Sequence, residues 1–153
     1  IDRVQNIKSI CEKLNLKTQV ISMNDTIEAN KEIIIINSYG VTSKYLKLCK
    51  SVFIGKSLLK KLKNVGGQNP IEAAKIGCKI YHGPYVYNFQ ETYELFNKYK
   101  ISEIIKNENE LSNKVISDLN KSNLMIDEKI KIINNLGKEI LDNTYNEIIK
   151  FIK

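Results

Sequence analysis

Apolar residues recur along the chain with two periods, and the alternation between them lays out the architecture. Val4, Ile7, Ile10, Cys11 and Leu14 fall at helical spacing and predict a helix over the first turns of the chain. Asn15 ends it, and Leu16 to Ser22 reads as a short strand. After a polar loop around Asn24-Asp25 comes Glu32–Ile36, a β-branched run typical of a parallel strand buried on both faces. Tyr39-Gly40 turns into a helix carrying Val41, Tyr45 and Leu48, and Ser51–Ile54 is the next strand. Helix Pro70–Ile76, strand Cys78–His82, helix Phe89–Tyr99 and strand Ile101–Ile105 continue the series. Asn107 caps a further helix to about Asn120, bearing Leu111, Val115, Ile116 and Leu119. From Ile126, the positions of Ile130, Ile133, Leu136, Ile140, Leu141, Ile148 and Phe151 predict one long or kinked helix, with Gly137 its weak point.

Strand alternating with helix is the βαβ rhythm of a doubly wound parallel sheet, so the expected fold is α/β and Rossmann-like, with helices on both faces. Ligands of such sheets lie beyond the carboxyl ends of the strands. That edge is where the most distinctive stretch falls. Phe53 to Glu91, FIGKSLLKKLKNVGGQNPIEAAKIGCKIYHGPYVYNFQE, holds most of the glycines and both prolines. Asn69 suits an N-cap, Pro70 the first helical position and Glu72 the third. Gly66 and Gly67 precede them, where a missing Cβ permits a sharp bend and a close approach. A glycine turn opening a helix is a cradle for an anion such as phosphate, and Glu72 is placed to accept from ribose hydroxyls. A capping box with a tight turn accounts for the same ten residues without any ligand. The second glycine loop, Gly83-Pro84 to Asn88, leaves the neighbouring strand end and favours the ligand site.

Length and charge narrow the classes. The chain has 153 residues, 42% hydrophobic and 27% charged, as expected for a single globular domain. Its formal charge of +7 arises from many lysines and a single arginine, Arg3. Those lysines are dispersed, with one loose cluster at Lys56, Lys60, Lys61 and Lys63. Base-reading modules add arginines and exposed aromatics, so nucleic acid is not an expected partner. Cys11, Cys49 and Cys78 lack metal-ligand spacing with each other or with His82, the one histidine, and read as free thiols. Neither a signal peptide nor a membrane-spanning apolar run is evident. Because the chain begins with Ile1 and not methionine, it reads as a fragment.

No triad, carboxylate pair or metal cluster can be assembled. His82 ends a strand beside the site, but without a carboxylate or serine partner in the motif it reads as a packing or hydrogen-bonding residue. Ser57 lies in Gly-Lys-Ser-Leu, which is neither a nucleophile elbow nor a P-loop; the expectation is a hydroxyl donor to a phosphate or sugar oxygen. Glu91 opens a helix, where acidic residues are favoured in any case. Of Tyr81, Tyr85 and Tyr87, one is expected in the core and another beside a base or sugar. The residues describe a site that binds without supplying its own chemistry.

From Phe53 to Glu91 the sequence resembles the C-terminal half of the bacterial 3-deoxy-D-manno-octulosonic acid (Kdo) transferases. These carry Gly-Gly-Ser-Leu, then Gly-Gly-His-Asn-Pro-Leu-Glu-Ala-Ala, then Gly-Pro and Asn-Phe. Here the same pieces stand in order as Gly55–Leu58, Gly66–Ala74, Gly83-Pro84 and Asn88-Phe89. Arg3 and the first helix resemble the segment after the family's proline-arginine-histidine signature. The resemblance implies the C-terminal half of a GT-B glycosyltransferase, lacking its first strands, that transfers Kdo from CMP-Kdo to a lipid A precursor. It implies no cofactor and no metal in the transfer step, work at the cytoplasmic face of the inner membrane, and a general-base glutamate in a separate N-terminal domain. Carried over by position, Ser57, Gly66, Gly67, Asn69 and Glu72 would meet the CMP phosphate and ribose, while Gly83, Pro84 and Asn88 would line the sugar end. This sequence departs from the pattern at Lys56 (glycine), Gln68 (histidine) and Val41 (glutamate), and by the lysine-rich insert Lys60–Asn64. Two other readings stand beside it: a GT-B enzyme using a UDP-sugar, and a nucleotide-binding Rossmann module without transferase activity.

Overall fold

Every strand pairing in the computed structural model, which describes residues 3–120 and 126–152, is parallel. The elements run α1 (Val4–Lys13), β1 (Thr18–Ile21), β2 (Ile33–Ile36), α2 (Thr42–Leu46), β3 (Ser51–Phe53), α3 (Ile71–Lys75), β4 (Lys79–His82), α4 (Gln90–Lys98), β5 (Ser102–Ile104), α5 (Glu108–Leu119) and α6 (Ile126–Ile152). Short 3-10 turns at Lys60–Leu62 and Tyr87–Phe89 lie in the β3–α3 and β4–α4 loops. Each predicted element is present, most of them a residue or two shorter at their ends.

The chain divides into two compact units, residues 1–44 and 45–153. In the first, β1 pairs with β2 from Thr18↔Ile33 to Ile21↔Ile36. Its loop is tied by side chains: Asp25 accepts from the Ser22 amide at 2.8 Å, and Gln19 accepts from the Glu28 amide at 3.0 Å. The four isoleucines of β2 do not form a strand buried on both faces. Ile33 to Ile35 are half-buried and Ile36 is exposed, because the sheet has two strands and β2 is an edge.

The second unit has the sheet order β3-β4-β5, with β4 central. Alternation along β4 sends Ile80 and His82 to one face and Tyr81 to the other. The His82 ring lies 4.2 Å from the Tyr93 ring of α4, while Tyr81 donates its hydroxyl to Asp118 of α5 at 2.7 Å. Helices therefore cover both faces, as the fold requires. The core gathers Ile54, Ala73, Ala74, Ile80, Val86, Tyr93, Phe96, Ile101 and Ile133 of α6.

The α5 face is ionic. Glu103, opposite Tyr81 in register, pairs with Lys79 at 3.3 Å and with Lys114 of α5. Burial would raise the Glu103 carboxyl, but the Lys114 and Lys79 ammonium groups outweigh it and hold it below its ordinary range. Burial pushes the Tyr81 phenol up, and the Asp118 carboxylate adds to the shift.

Three helix ends close in the same way. Asn15, Gly77 and Lys100 are left-handed, with φ of 59°, 86° and 55°. In each, the amide of that residue and of the next reach back to the last helical turn, as in Gly77 N–H to Ala74 O (2.9 Å) and Cys78 N–H to Ala73 O (3.1 Å). These are Schellman closures, and they satisfy carbonyls the helix leaves without partners.

Candidate functional site

Three loops meet beyond the carboxyl edge of the three-stranded sheet. Residues 54–58 follow β3, residues 63–70 lead into α3, and residues 83–88 follow β4. All belong to the second unit.

Ser57 joins two of them. It is fully buried, donates its hydroxyl to Ile54 O at 2.6 Å, and accepts from the Gly83 amide at 2.9 Å. Its carbonyl also accepts from the Tyr85 amide at 2.9 Å. The expected hydroxyl donation to a phosphate or sugar oxygen is therefore replaced: the hydrogen is spent on Ile54 and the side chain has no exposed surface. Ser57 shapes the loops from inside.

The glycines show why their positions carry no side chain. A Cβ on Gly83 would run into the Ser57 carbonyl and the Leu58 backbone, with Leu58 N at 2.6 Å. One on Gly66, where φ is +75°, would strike the Asn88 carboxamide, with Cγ at 2.6 Å, and one on Gly67 would meet Val86 Cγ1 at 3.0 Å. Close approach is needed, as the sequence suggests, but the approaching group is another loop of the same chain. Asn88 completes the contact by donating Nδ2–H to Gly67 O at 2.7 Å. Tyr87 donates to Asn64 O at 2.8 Å, and Tyr93 to Gln68 O at 2.9 Å. Tyr93 was not legible as a site residue; its apolar spacing with Phe96 marks it only as core.

The remaining predicted residues present themselves to solvent. Asn69 accepts from the Ile71 amide at 2.9 Å and so caps α3, with Pro70 already helical. Glu72 follows in the first turn; Asn69, Glu72, Pro84 and Asn88 are all exposed. The structure thus places seven of the eight predicted residues in these loops, Ser57, Gly66, Gly67 and Gly83 enclosed and Asn69, Pro84 and Asn88 exposed, with Glu72 exposed in the first turn of α3. Of the three tyrosines, Tyr81 is the one in the core, and Tyr87 is exposed.

Beside the cluster, a cavity of about 340 Å³ opens over the ends of β4 and β5. Lys63, Pro84, Tyr85, Tyr87 and Gln90 line it, with His82 at its base. Both His82 nitrogens are engaged within the protein, Nδ1 with Gly83 O at 2.8 Å and Nε2 with Asn97 Oδ1 at 3.3 Å. Ser102 donates to the same Asn97 oxygen at 2.5 Å. This is the hydrogen-bonding histidine the sequence favoured. Among the described residues, no group of three or more His, Cys, Asp or Glu side chains is arranged to hold a metal ion.

A parallel sheet with helices on both faces and glycine loops at its carboxyl edge is a Rossmann-like arrangement. The solved structure of the C-terminal CMP-Kdo binding domain of WaaA from Acinetobacter baumannii has this fold, with a TM-score of 0.75 and 22% identity over 86% of this chain and 68% of that one. In sequence, the chain is similar to the 3-deoxy-D-manno-octulosonic acid transferases of Rickettsia prowazekii, 27% identical over 97% of this chain, and Aquifex aeolicus, 25% identical over 67%. It spans 32% and 28% of the length of these relatives. No family model matches the chain. The resemblance carried by the motif order is thus found again by whole-chain similarity and by fold.

Proposed function

We propose that this chain is the donor-binding part of a Kdo transferase, a glycosyltransferase that moves Kdo from CMP-Kdo to a lipid A precursor in lipopolysaccharide biosynthesis. The observation that carries the reading is convergence. Motif pieces far apart in sequence, Ser57, Gly66-Gly67, Gly83 and Asn88, interlock at the sheet edge where ligands of such folds bind. Within that frame the residues divide into two roles. Ser57, Gly66, Gly67, Gly83 and the Asn88 carboxamide fix the loops, while Asn69, Glu72 and Pro84 face the donor.

In the transfer, the bond between the Kdo anomeric carbon and the CMP phosphate oxygen breaks, and an acceptor hydroxyl forms the new bond and loses its proton. Stabilising the departing phosphate is the part this domain supplies, through loop amides and basic side chains preorganised around it. The base that takes the proton belongs to an N-terminal domain outside this chain. No cofactor is needed. The enzyme works at the cytoplasmic face of the inner membrane, where a charge of +7 favours anionic lipid. No described helix is long and apolar enough to cross a membrane.

Titration with CMP, UMP and UDP, followed by amide chemical shifts, tests the reading. CMP is expected to perturb Gly66–Glu72 and Gly83–Asn88 in preference to the uridine nucleotides. A UDP preference would move the assignment to another GT-B donor. Silence at all three up to about 1 mM would remove the site.

A further inference from the structure

Of the left-handed residues, Asn15, Gly77 and Lys100 close helices; Lys56 does not. Lys56 has φ of 65°. Asn15 and Lys100, the other non-glycine residues with positive φ among those described, each end a helix in a Schellman motif. Lys56 ends no helix; it is the second residue of the Gly55-Lys56 turn that leaves β3. It sits between Gly55 and the buried Ser57, in the loop leaving β3, and a lysine in that conformation is held there at a cost glycine would not incur.

The surroundings explain why the backbone must bend here. Ser57 is fixed by Ile54 and Gly83, and Leu58 lies against Gly83 so closely that no Cβ fits between them. They do not explain the side chain. Lys56 is exposed, and its ammonium makes no hydrogen bond or ion pair among the described residues. The facing loop is near: a Cβ on Gly55 would stand 3.8 Å from Gln68 Oε1, so the Gln68 carboxamide lies over the residue before Lys56. Backbone strain of this kind clusters at ligand clamps, and here it carries an unpaired cation.

We propose that Lys56 is an anion-contacting residue of this site, its ammonium meeting the phosphate of the bound nucleotide across the gap between loops 54–58 and 66–69. The assignment rests on the donor-binding reading above. It adds a residue whose stability and binding effects have opposite signs.

The test compares wild type with Lys56→Gly, Lys56→Asn and Lys56→Arg, using CMP and cytidine as probes and thermal unfolding alongside. Glycine relieves the backbone and asparagine tolerates it, while both remove the charge. Lys56→Gly is expected to raise the unfolding midpoint by about 2–4 °C. Both neutral variants should bind CMP about tenfold more weakly, with cytidine affinity unchanged, and Lys56→Arg should retain most CMP affinity. Neutral variants that bind CMP like wild type would overturn the assignment and leave the donor site standing. Equal losses for CMP and cytidine would overturn it too, since the residue would then act through loop shape. If wild type itself fails to bind CMP, the donor-binding reading falls and takes the Lys56 assignment with it.

Discussion

The loop cluster at the carboxyl edge and the second half of α6 invert the usual association between regular structure and tight packing. The loops have almost no helix or strand, yet Gly66, Gly67 and Gly83 are buried and a single added methyl group would strike a neighbour. In α6, an unbroken helix of 27 residues, Ile133 is buried, but Ile140, Leu141, Tyr145, Ile148 and Phe151 are all exposed. Its glycine, Gly137, has nothing within 4 Å of where a Cβ would lie. Glycine has opposite meanings in the two regions. In the loops it admits another segment of chain, and in the helix it is an unforced loss of stability. Loops determined by many contacts hold their geometry without regular structure.

The widest separation of the two regions is expected from Gly83→Ala. The new Cβ meets the Ser57 carbonyl and the Leu58 backbone, neither of which can rotate away. A loss of about 3 kcal/mol is expected in urea unfolding, at unchanged denaturant slope. A loss below about 0.5 kcal/mol would show that the loops yield and that the cluster is not locked. Ser57→Ala comes next. It strands the buried Gly83 amide, which loses its acceptor at 2.9 Å, and costs about 2 kcal/mol. Nucleotide binding should weaken with it even though the hydroxyl faces no ligand. Unchanged stability would mean that the hydroxyl does not join the loops.

Much of this was legible in the sequence, for identifiable reasons. Helical spacing marked α1, α5 and α6, and Asn107 caps α5 as expected, accepting from the Glu110 amide at 2.9 Å. The positions of Ser57, Gly66, Gly67, Gly83 and Asn88 could be read as one site because glycine and its neighbours mark sharp turns at strand ends. Their roles could not. Whether a missing Cβ makes room for a ligand or for Asn88 depends on which distant loop folds back, and periodicity carries no such information. The same limit hid the half-burial of β2, since the number of strands flanking it is a tertiary property. It also hid the ionic face of the sheet, where Tyr81, Asp118, Glu103 and Lys114 come from three separate elements.

That ionic face offers a contrast of intermediate size. The loop cluster is held by neutral hydrogen bonds and packing, whereas α5 is held partly by the Glu103 carboxylate. Its pKa is depressed in the fold, so its contribution is fully present above the ordinary value of 4.5 and is lost as pH falls through the lower folded value. Partial exposure and solvent screening limit it to about 0.5–1 kcal/mol. Hydrogen exchange on acidification below that value should therefore loosen α5 before residues 54–58 and 83–88. Glu103→Gln should abolish the acid-induced loss of α5 protection, measured relative to the intrinsic exchange rate at each pH. Simultaneous loosening of both regions would mean that the loops depend on the same charge.

The smallest effect should carry the opposite sign. Gly137 lies inside α6, away from both ends, where the flexibility of glycine in the unfolded chain is an entropic cost that alanine reduces. No atom occupies the space a Cβ would take, and no positive φ demands glycine. Gly137→Ala is accordingly expected to stabilise the chain by about 0.5–1 kcal/mol, raising the unfolding midpoint by about 2 °C, with CMP affinity unchanged. Placed beside Gly83→Ala, it makes one chemical change, hydrogen to methyl, read in two surroundings. A destabilised Gly137→Ala protein would show that α6 bends or packs at that point, and the contrast between the two regions would close.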